Sequence, residues 1–98
     1  MAALPSLRQL RYLLALAEHL NFTRAAEASF VSQSTLSTGL KELESTLGVQ
    51  LVERDKQTVA LTAVGKEVVA RARQVLAAAE DLSDFTSDAS RPMQGQLR

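Results

Sequence analysis

The chain is predicted to be mainly α-helical with one small β-hairpin and to end in a long helix. Three observations carry that expectation. Apolar residues recur at helical spacing in three segments, residues able to cap a helix stand just ahead of them and of a short alanine-rich stretch, and a short β-prone stretch around a polar tip interrupts the series near residues 49–61.

The elements follow in order. Leu7, Leu10, Leu13, Leu14 and Ala17 make the stripe of an amphipathic helix over 7–19, with Ser6 as N-cap after Pro5 and His19 near the negative end of the dipole. Asn21 and Thr23 can each cap a short second helix, about 23–29, whose Ala25, Ala26 and Ala28 allow close packing. Ser32 caps a third helix from Gln33 to Leu47, in which Leu36, Leu40, Leu43 and Leu47 lie four, three and four residues apart. Gly48 stops it. Val49, Leu51 and Val52, then Thr58-Val-Ala-Leu61, are two short strands around Arg54-Asp-Lys-Gln57. Thr62 caps the last helix, from 63 to about 86, which at about 1.5 Å per residue is roughly 36 Å long. Along it Val64, Val68, Ala72, Val75, Ala79 and Leu82 recur at spacings of four, four, three, four and three. The polar tail after it holds Pro92 and Gly95, the makeup of a linker.

Composition narrows the function classes. The 98 residues are one domain's worth, and 46% apolar with 22% charged side chains is ordinary for a globular fold. The absence of cysteine removes disulfides, thiolate metal sites and cysteine nucleophiles, and points to a reducing, cytoplasmic setting. No apolar run approaches the length of a membrane helix, and no export signal opens the chain. His19 is the single histidine, so no metal site is expected, and no phosphate-cradling glycine loop or Ser-His-Asp set is present. Neither a cofactor nor an enzymatic activity is expected.

Eleven basic residues balance eleven acidic ones, but unevenly. Residues 28–40 hold no acid, whereas Glu80, Asp81, Asp84 and Asp88 cluster without a base. A nucleic-acid surface must then be local. Helix, short helix, turn, helix, hairpin is the layout of a winged helix-turn-helix, with the helix-turn-helix about 22–41 and the wing about 49–61. Ser32, Gln33, Ser34, Thr35, Ser37, Thr38 and Lys41 offer amide, hydroxyl and ammonium groups to base edges and phosphates, while Leu36 and Leu40 face the other way. A Ser/Thr-rich first turn is also ordinary capping chemistry; the flanking helix and hairpin favour the DNA reading. With no arginine on that face, much of the specificity is expected from DNA shape and paired half-sites.

These residues resemble a known family. Phe22-Thr-Arg-Ala-Ala26, Val31-Ser-Gln33, Leu36-Ser37, Leu43-Glu44, Leu47-Gly48-Val49, Leu51-Val-Glu-Arg54, Leu61-Thr62 and Gly65 are similar to the DNA-binding domain of LysR-type transcriptional regulators, over about residues 7–65 and on into the family's linker helix. Within it, Ala15-Leu-Ala-Glu-His19, Ser34-Thr-Leu-Ser37 and Leu51-Val-Glu-Arg54 are similar to the peroxide-sensing OxyR branch. The resemblance implies a bacterial regulator that binds an interrupted palindrome as a dimer or tetramer, with an effector-binding domain absent here. Residues 1–62 would be the DNA-binding domain, 63–88 the linker and dimerisation helix, and 89–98 the hinge. Two departures stand out: many members have proline after the Ser-Gln pair and arginine later in the helix, where this chain has Ser34 and Thr38.

Several residues have two readings. Arg54 and Lys56 at the wing tip can reach a groove or phosphates, or pair with Glu53 and Asp55 on a surface hairpin. Thr23 and Arg24 touch the DNA backbone in this family, or serve as a cap and a solvated arginine. Arg8 and Arg11 read as a solvated face. Gly39 costs helix stability and permits close approach of DNA or of a neighbouring helix. A helix as long as the last one projects beyond its own core, so Val64, Val68, Ala72, Val75, Ala79 and Leu82 are expected to meet a second copy. A protein-interaction module built on the same core, or a winged-helix repressor of another family, are the alternatives.

Overall fold

The computed structural model describes residues 3–53 and 58–90. Four helices and one hairpin follow one another: α1 (Leu7–His19), α2 (Phe22–Ala28), α3 (Gln33–Leu47), β1 (Val52–Glu53), β2 (Ala60–Leu61) and α4 (Ala63–Ala89). β1 and β2 are antiparallel, with Val52 opposite Leu61 and Glu53 opposite Ala60.

Local chemistry accounts for most boundaries. At α1 the Ser6 hydroxyl accepts from the Gln9 N–H and the Gln9 side chain accepts from the Ser6 N–H, both at 3.1 Å, a reciprocal cap at one helix end. Asn21, rather than Thr23, caps α2, accepting from the Arg24 N–H at 2.8 Å, so this helix starts one residue earlier than expected. Ser32 caps α3 and Gly48 ends it at φ +73°, a left-handed conformation that glycine adopts without a Cβ penalty. Between α2 and α3 the chain turns through Phe30 at φ +59°, an uncommon conformation for so large a residue.

The core gathers Leu10, Tyr12, Leu13 and Leu16 of α1, Ala25 and Ala26 of α2, and Leu36, Leu40 and Leu43 of α3. Leu51 and Val52 of the wing join them, with Val69, Ala72 and Leu76 of α4. Leu7 is exposed and Leu14 and Ala17 are only half-buried, so the buried face of α1 is turned from the expected stripe toward Tyr12.

Tyr12 explains Gly39. A Cβ built on Gly39 would lie 2.6 Å and 2.7 Å from the Tyr12 ring carbons Cδ2 and Cε2, so the glycine admits a neighbouring helix rather than serving an approach to DNA. Gly65 plays a similar part in α4, where a Cβ would run into the Leu51 carbonyl oxygen.

The wing is tied down from both sides. The Glu44 carboxylate accepts from the Leu51 and Val52 N–H groups at 2.7 Å and 3.1 Å. The Thr62 hydroxyl donates to the Gln50 carbonyl at 2.7 Å while accepting from the Gly65 N–H at 2.9 Å. One α3 carboxylate thus fixes the start of β1, and the α4 cap fixes the strand entry.

Candidate nucleic-acid interface

The third helix divides its residues as an interface helix must. Leu36, Leu40 and Leu43 are wholly buried, while Gln33, Ser34, Thr35, Thr38 and Lys41 are exposed. Ser37 differs from expectation: it is half-buried on the flank, because it follows Leu36 and lies beside Leu40 on the helix surface. Lys41 carries an exposed positive charge two turns from the N-terminus, and the exposed Glu42 beside it borders the same face with Thr38.

Hydrogen bonds order the first turn. The Ser32 Oγ accepts from the Thr35 N–H at 3.1 Å and donates to the Thr35 hydroxyl at 2.9 Å, with the Ser34 hydroxyl 3.2 Å away in a further bond. Thr35 accepts that bond, which leaves its own proton for an outside acceptor. Thr23 stands across the turn, and its hydroxyl donates to the Gln33 side-chain oxygen at 3.0 Å. Both residues are exposed, so the pair joins the starts of α2 and α3 at the surface.

A cleft of about 410 Å³ runs between the start of α1 and this face, lined by Ser34, Thr35 and Thr38 with Ser6, Arg8 and Gln9. Arg8, read from the sequence as part of a solvated face, therefore borders the same surface as the predicted reading residues. No spacing along the chain announces this, since it depends on how α1 crosses α3. Arg54 and Lys56, the predicted wing contacts, lie outside the described residues, as does the tail beyond residue 90. Among the described residues no group of three or more His, Cys, Asp and Glu side chains could hold a metal ion, and no helix is long and apolar enough to cross a membrane.

The long helix presents two adjacent stripes. Gly65, Val69, Ala72 and Leu76 are buried against the chain's own core. Val64, Val75 and Leu82 are 41%, 46% and 64% exposed, with Val68 and Ala79 half-buried beside them. Ala72 is therefore a correction to the predicted seam: at 2% exposure it has no surface left to offer. At about 100° per residue it falls between the two stripes, and packing on α1 draws it inward. Phe85, 66% exposed further along α4, is an apolar residue that the sequence reading passed over. Every residue from Asp81 to Ala89 is exposed, so about 14 Å of helix, at about 1.5 Å per residue, stands clear of the core. Glu80 meets Arg11 at 3.9 Å in an exposed ion pair of little energetic weight.

Comparison with known proteins places this geometry. The family described as bacterial regulatory helix-turn-helix protein, lysR family, matches residues 7–66. The chain is 60% identical over 97 residues to the HTH-type transcriptional regulator EstR of Acinetobacter baylyi, covering 99% of this chain and 32% of that protein. Full-length OxyR C199D from Pseudomonas aeruginosa superposes with a TM-score of 0.82 at 46% identity, over 85% of this chain and 28% of that one. The CbnR DBD of a solved DNA complex superposes with a TM-score of 0.80 at 37% identity, over 88% of this chain and 99% of that one. The chain thus has the winged-helix fold of these domains and spans about a third of the EstR relative's length.

Proposed function

The chain belongs to the lysR family of bacterial regulatory helix-turn-helix proteins, and on that premise we propose that it reads double-stranded DNA by laying α3 in the major groove. Gln33, Thr35 and Thr38 meet base edges, Ser34, Lys41 and Arg24 of α2 set the register on phosphates, and the wing flanks the site through Arg54 and Lys56. The observation that carries this reading is the division of α3, whose Leu36, Leu40 and Leu43 are wholly buried beneath an exposed amide-and-hydroxyl face. The likeness to a domain solved as a DNA complex supports it.

Two such readers act together. The outward stripe Val64, Val68, Val75, Ala79 and Leu82 pairs with its copy, so α4 sets the spacing of two half-sites in an interrupted palindrome. Residues 1–62 form the reading unit, 63–88 the linker and dimerisation helix, and 89–98 the hinge toward an effector-binding domain of the intact regulator, which would act in the cytoplasm as a dimer or tetramer. The regulator works by binding alone, with no catalytic step. The OxyR likeness supports peroxide-linked control as one role for the intact protein.

A gel shift with a duplex pool carrying a randomised core, at low and moderate salt, followed by sequencing of the retained DNA, tests the reading. Salt-sensitive retention with enrichment of a two-part sequence is expected. Salt-insensitive or absent retention would leave a protein-interaction module as the better account.

A further inference from the structure

We infer that Thr23 is a positioning residue for base recognition, acting through Gln33 rather than on the DNA backbone. This rests on the reading of α3 as the recognition helix. The Thr23 hydroxyl proton is spent on the Gln33 side-chain oxygen at 3.0 Å. A threonine in that state has no proton left to donate to a phosphate oxygen, which only accepts.

The bond has a consequence for what Gln33 can read. A glutamine carboxamide presents an acceptor on one side and two donors on the other, and rotation by half a turn exchanges them. With its oxygen held by Thr23, Gln33 turns its amide nitrogen toward the groove in one orientation. The oxygen keeps a second lone pair, so the pattern on offer is one donor flanked by one acceptor in fixed order. That order matches adenine, which presents N7 as acceptor beside the N6 amino donor. An untethered Gln33 could reverse the order, and discrimination at that base pair would fall. The α2 cap leaves Thr23 free for this role, because the capping side chain is Asn21, which accepts from the Arg24 N–H. Ser32 in turn fixes the start of α3, so both ends of the Thr23–Gln33 bond are held by capped helix termini.

The test uses the 98-residue chain and the randomised duplex pool, followed by single-substitution duplexes of the enriched sequence. Thr23→Val removes the hydroxyl and keeps the shape, Thr23→Ala is a second variant should valine disturb α2, and Thr23→Ser restores the donor. Thr23→Val is expected to lower discrimination at one base pair per half-site about tenfold. Its salt dependence should match the parent's, and Thr23→Ser should retain parental preference. In a Gln33→Ala background Thr23→Val should add nothing, since the group it positions is gone. A lower salt slope with preference intact would make Thr23 a phosphate contact and overturn the inference, as would unchanged preference or additive effects. If the parent chain enriches no sequence, the DNA-reading proposal fails along with this one; enrichment by the parent that Thr23→Val leaves untouched sinks the positioning role alone.

Discussion

Replacing Gly39 with alanine sets two effects of opposite sign against each other. Alanine is favoured over glycine within a helix by about 1 kcal/mol, so an open site would gain stability. Here the added methyl would sit 2.6 Å and 2.7 Å from two carbons of the Tyr12 ring, well inside ordinary carbon–carbon contact. Tyr12 is 6% exposed and packs in the shared core, so turning its ring toward the cleft it borders would give up part of that packing. Overpacking of this kind costs about 1–3 kcal/mol. Because the overlap involves two ring atoms at once, the clash should exceed the propensity gain, and we expect a net loss of about 1–2 kcal/mol. For a domain of this size that lowers Tm by roughly 4–8 °C per kcal/mol. Urea unfolding followed by far-UV circular dichroism, at one protein concentration, measures it. A Tyr12→Leu background should remove most of the penalty, giving a coupling energy of about 1 kcal/mol or more. Stability equal to or above the parent's would refute the reasoning, and if DNA affinity then fell, Gly39 would instead admit the nucleic acid.

Gly65→Ala should be costlier than Gly39→Ala, about 2–3 kcal/mol or more, because its methyl meets the Leu51 backbone carbonyl rather than a side chain; a milder loss in the same urea series counts against the close approach of α4 to the wing. Gln33→Ala or Thr35→Ala should relax sequence preference by about 1–3 kcal/mol in binding to substituted duplexes, and unaltered preference in both would take them off the reading face. Leu82→Asp should weaken self-association in sedimentation while leaving the far-UV spectrum of the folded chain in place, since Leu82 is 64% exposed and touches no core of its own. An unchanged association constant would move the seam elsewhere. Ala72→Leu should instead lower folding stability by about 1–3 kcal/mol, being directed into the core.

How much of this was legible beforehand depends on the range of the interaction concerned. The expected spans 7–19 and Gln33–Leu47 coincide with α1 and α3, and Ser6, Ser32, Gly48 and Thr62 cap as read, because a cap is a bond between residues three or four apart and leaves a local trace. The leucines of α3 were identifiable as its buried side for the same reason, since spacing along one helix fixes which residues share a face.

Spacing could not say which of two neighbouring faces on α4 would be used, for both are apolar and only the position of α1 chooses between them. Ala72 lay on the border and went inward with Val69 and Leu76. The partner of Gly39, the clamp of Glu44 on the wing, the placing of Arg8 beside α3 and the bond from Thr23 to Gln33 all join residues of different elements. Composition and periodicity carry no record of such meetings. They exist because four amphipathic helices bury one shared set of leucines, and the surface groups fall where that packing leaves them.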